Sequence, residues 1–177
     1  LWAGPWLRDV AMLPRAEVAN HLLVLALFLT LGFPLCGALA DVLVRRGVAL
    51  ASIYQGVVIA HLAALIVLAF QIGAASYWPW AVFGMVSNGT ILAFPMLSGH
   101  FPAALSGRAS TALNLLVFAM AFALQYGVGL VIDMWPTTPS GGYDPAAYRA
   151  AFFILAAMIA ASLVWFARPY RAMTRSA

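Results

Sequence analysis

The residues able to do chemistry are few and widely spaced. In 177 residues there are nine arginines, no lysine, five acids and three histidines. Their densest grouping is Gly37-Ala38-Leu39-Ala40-Asp41-Val42-Leu43-Val44-Arg45-Arg46-Gly47. It sets one carboxylate a few residues from two guanidiniums, at the end of a long apolar run. A carboxylate there is stabilised by a nearby helix N-terminus or by an arginine. Made in one state of a moving machine and lost in another, such a contact acts as a latch. The same residues also serve, more simply, as an interfacial charge cluster. A second grouping is Ser87-Asn88-Gly89-Thr90, followed by Pro95. Asn114 and Gln125 stand eleven residues apart, close to three helical turns, and so share one helix face. Tyr126 neighbours them. His61 is the one titratable side chain deep in an apolar run, and its ordinary pKa suits proton relay. It also suits plain packing.

Covalent and metal chemistry find no support in the motifs. There is no HExxH, P-loop, GxSxG or CxxC. A lone cysteine, Cys36, forms no internal disulfide. No metal or cofactor is expected. The pI of 9.7 does not make a nucleic-acid binder, because the arginines lie in short connections rather than in one patch.

The elements that must position these residues follow from composition. The chain is 65% apolar and 8% charged, against about a quarter charged in soluble domains. A soluble enzyme, a disordered chain and a disulfide scaffold are all excluded, and an all-α, polytopic transmembrane helix bundle is expected. Five apolar runs predict spans at about 18–40, 48–72, 80–97, 110–132 and 148–167. Each is near the ~20 residues that cross the hydrocarbon as a helix. Residues 1–7 are too short to span and read as the end of a truncated helix, so the whole is expected to be one domain cut from a longer protein. No signal peptide is visible at Leu1.

The connections carry loop punctuation, richest at Trp135–Pro145. Asp144 before Pro145 reads as an N-cap with proline at the first helical position. Trp2, Trp6, Trp78, Trp80, Trp135 and Trp165 fall near span ends and read as interface anchors. Small residues recur at helical spacing in Gly32–Cys36–Ala40, Ala119–Ala123–Gly127 and Ala156–Ala160, as close helix packing requires. If every run crosses, Arg45, Arg46, Arg108, Arg168, Arg171 and Arg175 share one side, against Arg8, Arg15 and Arg149 on the other. That excess predicts a cytoplasmic C-terminus.

The segment from Gly37 to Gly47 resembles the signature loop of the major facilitator superfamily, of the form G-x-L-a-D-r-x-x-r-r-G. Gly37, Leu39, Asp41, Arg45, Arg46 and Gly47 match; Val42 departs, as is usual in the looser second copy of that loop. The passage from Phe101-Pro102 through Gly107-Arg108 to Gly127–Asp133 is similar to the family's tenth-to-eleventh helix region. The resemblance implies a partial seventh helix to the twelfth helix of a secondary transporter in a bacterial inner (plasma) membrane. Its partners would be the N-terminal half of the same transporter, a small organic solute and the lipid bilayer. Asn88 and Thr90 would lie on cavity-facing helix ten, with Asn114, Gln125 and Tyr126 as further cavity candidates. His61 would lie on peripheral helix nine, and any coupling carboxylate in the other half. Two other classes remain open: a non-transporting membrane subunit or assembly factor, and an intramembrane enzyme pairing His61 with Ser52 or Ser110.

Overall fold

The computed structural model describes residues 2–139 and 141–174, with side chains as far as residue 167. Every regular element among them is helical. The helices are α1 (Ala3–Asp9), α2 (Arg15–Arg45), α3 (Leu50–Ala69), α4 (Trp78–Val86), α5 (Thr90–Ser98), α6 (Ala103–Ile132) and α7 (Pro145–Thr174). A 3-10 turn, Ser87–Gly89, joins α4 to α5 as a single 21-residue span. Five helices are long and apolar enough to cross a membrane. Their middles expose side chains such as Leu23 (69%), Leu115 (69%) and Phe122 (74%). Surface of that kind is stable in hydrocarbon and not in water.

Helix ends follow local chemistry. The Arg45–Gly47 turn closes α2 as a Schellman motif: Val48 N–H reaches Leu43 O, Gly47 N–H reaches Val44 O, and Gly47 takes φ +86°. The same device ends α3, where Ile72 N–H bonds Val67 O. The residue at positive φ there is Gln71 (+59°), not glycine. The predicted run to Ile72 therefore stops as helix at Ala69. Gln71 is held by its side-chain bond to Pro145 O, at 3.0 Å. At α7, Asp144 Oδ1 accepts the Ala146 N–H at 2.7 Å, the expected cap.

Packing is tight at one end of the bundle and loose at the other. The main core gathers Trp6 and Leu7 of α1, Leu68 of α3, Trp80 of α4, Ile132 of α6 and Tyr148 of α7. All lie toward the end that carries the 10–14, 70–77 and 133–144 connections. Among the described residues the opposite end holds a small cluster of Ala40, Ile53 and Leu92. Trp6 and Trp80 are 0% and 4% exposed and meet edge to face at 5.3 Å. They are core residues and not interface anchors, because their rings meet between α1 and α4; Trp78 and Trp165 remain exposed.

Two glycines set the α2–α4 contact. A Cβ on Gly84 would stand 2.9 Å from Leu25 O, and one on Gly32 would stand 2.6 Å from Met85 O. Only glycine admits backbone this close. The expected Ala119–Ala123–Gly127 face is not close-packed. Ala119 and Ala123 are exposed, and nothing would meet a Cβ on Gly127 within 4 Å. A 160 Å³ gap separates Ala123 and Gly127 from Ala151 and Met158 of α7.

Candidate functional site

The broken span α4–α5 carries a buried polar residue at its middle. Asn88 is 3% exposed; its Nδ2 donates to Leu29 O at 3.0 Å and to Gly84 O at 3.3 Å. Gly32 makes room for it. An amide inside hydrocarbon is costly unless bonded, and here α2 supplies the partner. Asn88 thus ties α2 to α4 rather than lining an open space. Thr90, two residues on, is exposed at the start of α5.

His61 is half-buried against the same break. Its Nδ1 lies 3.2 Å from Ser87 Oγ, and its ring tilts over Phe83 at 4.8 Å. The Ser87 hydroxyl donates to Phe83 O at 2.6 Å. Its single proton is therefore committed, and His61 Nδ1–H is the donor to Oγ. A serine bonded this way is not presented as a nucleophile with histidine as its base. The hydroxyl that meets His61 is that of Ser87, not that of Ser52 or Ser110.

On α6 the expected shared face is present. Asn114 and Gln125 are both exposed, on a different side from Ala123, Leu124, Gly127 and Val128, which line the gap toward α7. Tyr126 is 71% exposed. The backbone carbonyl of Gln125 accepts Trp2 Nε1–H at 3.1 Å. Asn114, Gln125 and Tyr126 are thus available to something outside this chain, whereas Asn88 is not.

The Gly37–Gly47 loop lies at the loose end. Asp41 and Arg45 line one side of α2, beside a groove of 800 Å³ toward Ile91, Phe94 and Pro95 of α5. Both are exposed, and no ion pair joins them among the described residues, where Arg8–Asp9 is the one salt bridge. Arg46 emerges on a different face. The expected stabilisation of Asp41 by its own arginines is absent, because exposed side chains gain too little from pairing to hold one rotamer.

One ionic site escaped the sequence reading. Asp9, with 4% of its side chain exposed, accepts Arg8 Nε at 2.6 Å, Tyr143 N–H at 3.1 Å and Tyr148 O–H at 2.8 Å. Burial opposes the charge, but the bonds from Arg8, Tyr143 and Tyr148 outweigh it and hold the carboxyl below its usual range. A Cβ on Gly142 would sit 2.8 Å from Asp9 Oδ1. In the sequence only the adjacency of Arg8 and Asp9 hints at it. Nearby at the same end, His21 is 2% exposed, stacks on Tyr77 at 4.0 Å, and donates Nδ1–H to Glu17 O at 2.8 Å.

No group of three or more His, Cys, Asp or Glu that could hold a metal occurs among the described residues. Comparison with protein families, with curated proteins and with solved structures gave no match.

Proposed function

We propose that this chain works as one half of a secondary transporter of the major-facilitator type. The second half, N-terminal in the same protein, would close a central path across an inner (plasma) membrane for a small organic solute. The observation that carries this reading is the exposed Asn114–Gln125 face on a bilayer-length helix. Two amides facing lipid would be unsatisfied at a cost of several kcal/mol, about 2–7 kcal/mol each. They call for a watery cavity or a partner helix. The Gly37–Gly47 loop gives the reading its family, and its exposed, unpaired Asp41 is available to a contact made in one state and broken in another. No covalent step is involved. Binding of the solute biases two states, open to opposite sides.

Site-directed thiols test it without knowing the solute. In the full-length protein with Cys36→Ser, single variants Asn114→Cys, Gln125→Cys and Leu116→Cys are treated in native membranes with a cationic, membrane-impermeant methanethiosulfonate. A thiol reacts as thiolate and needs water, so the first two should react at least about tenfold faster than the third. Adding Asp41→Asn removes a contact worth about 1.5–3 kcal/mol and should raise cytoplasmic-side reactivity about tenfold. Equally slow reaction at all three positions would sink the transporter reading. It would favour a non-transporting subunit whose α6 is sealed against a partner helix.

A further inference from the structure

A second groove lies on the other side of α2 from Asp41. Beyond the Arg45–Gly47 turn, α2 and α3 diverge. Between them, floored by Met85 and Val86, is an open groove of 480 Å³. Its walls run from Gly32 to Leu43 on α2 and from Ser52 to Ala60 on α3. From Gly32 to Leu43 the helix rises about 16 Å, at 1.5 Å per residue. That is half of a hydrocarbon core of ~30 Å. Gly32 ends the groove there, because it closes directly on Met85 O and Asn88. Beside Gly56 the space is empty, with nothing within 4 Å of an added Cβ.

The groove is apolar along its length, and Arg46 follows its last α2 wall residue, Leu43, by three positions. Arg46 continues the line of Leu39 and Leu43 at i+7 and i+3, and it is exposed. No ion pair holds it among the described residues. α3 begins four residues later at Leu50; the N-cap is Ala49, which offers no side-chain bond to the first-turn N–H groups, while its carbonyl accepts the Ser52 and Ile53 N–H. Ser52, exposed, adds a hydroxyl at the same place. An uncapped helix N-terminus, a guanidinium and a hydroxyl together suit a phosphodiester. The nearest carboxylate, Asp41, faces the opposite groove with Arg45.

We propose that this groove is a binding site for one anionic phospholipid. Its phosphodiester sits against Arg46, Ser52 and the first turn of α3, and one acyl chain fills the groove as far as Gly32. The one-ended polarity matches an amphiphile. The stop at mid-membrane matches a single leaflet. A spanning partner helix would need a face continued past Gly32, where α4 already sits. The site stands whether or not the chain belongs to a transporter, and its test does not use transport.

Cys36 lines the groove and reports on its occupancy. The full-length protein is placed in nanodiscs of phosphatidylcholine, with or without phosphatidylglycerol. Alkylation of the Cys36 peptide by a small neutral maleimide is followed by mass spectrometry, and retained lipid is read by native mass spectrometry. Phosphatidylglycerol should slow Cys36 several-fold, and one molecule should stay bound. Arg46→Gln should lose both effects. Arg45→Gln, on the other face, should keep both. Gly56→Leu should fill the groove, slowing Cys36 in either lipid and abolishing retention. The proposal is overturned if Cys36 reacts alike in both lipids with no lipid retained. It is equally overturned if Arg46→Gln retains phosphatidylglycerol as wild type does, or if Cys36 is protected in both lipids without retained lipid, which would mean that protein covers the groove.

Discussion

At Asp9 a nearly inaccessible carboxylate stays charged because four hydrogen bonds converge on it, two from Arg8 and one each from Tyr143 and Tyr148. They join the end of α1 to the loop after α6 and to the first turn of α7. The folded carboxyl is held below 3.8, the ordinary value. Its contribution to stability is therefore complete above that value and is lost as pH falls through the lower, folded one. Asp9→Asn should cost about 2 kcal/mol at neutral pH, the scale of a hydrogen bond to a charged group. Its melting temperature in detergent should fall below wild type at neutral pH, and the gap should close as the pH drops beneath 3.8. A gap unchanged by acid would show that charge is not what Asp9 contributes.

The contact between α2 and α4 depends on missing side chains. Gly32→Ala places a methyl against Met85 O and the Asn88 amide. Backbone cannot retreat as a flexible side chain can, so overpacking should cost about 1–3 kcal/mol and strain the Asn88–Leu29 bond as well. Gly37→Ala, five residues on and with nothing within 4 Å, is the contrast. It should be neutral or stabilising by about 0.5–1 kcal/mol, the helix preference for alanine. Size-exclusion profiles of heated, detergent-solubilised protein measure both. Equal behaviour of the two variants would contradict the close contact. By comparison α6 is a lightly packed element, with Leu115, Phe118 and Phe122 exposed along it.

For the molecule as a whole, the tight core and the Asp9 network occupy one end, and the grooves beside Asp41 and Arg46 occupy the other. Among the described residues Arg45, Arg46, Arg108, Arg168 and Arg171 lie at that loose end, against Arg8, Arg15 and Arg149 at the other. The loose end should therefore be cytoplasmic, together with the C-terminus. A cysteine added to a C-terminal tail should resist an impermeant maleimide in intact cells and react after permeabilisation. Labelling in intact cells would reverse the orientation.

Class and span were legible in the sequence by itself. Where water is absent a chain must satisfy every peptide group internally, so apolar runs of ~20 residues have helix as their solution. The Asp144–Pro145 cap was legible too, because capping is local, as was the shared face of Asn114 and Gln125, because helical phase is local. Only the tertiary structure decided which polar group meets which helix. Asn88 and Thr90 look alike in sequence, yet one is locked to Leu29, 59 residues away, and the other is exposed. Trp78 and Trp80 lie in one aromatic cluster, yet α1 buries only the second. Asp9 finds Tyr148 at a separation of 139 residues. Periodicity gives each side chain a direction, but the neighbour in that direction is set by how distant helices pack, and no local signal carries it.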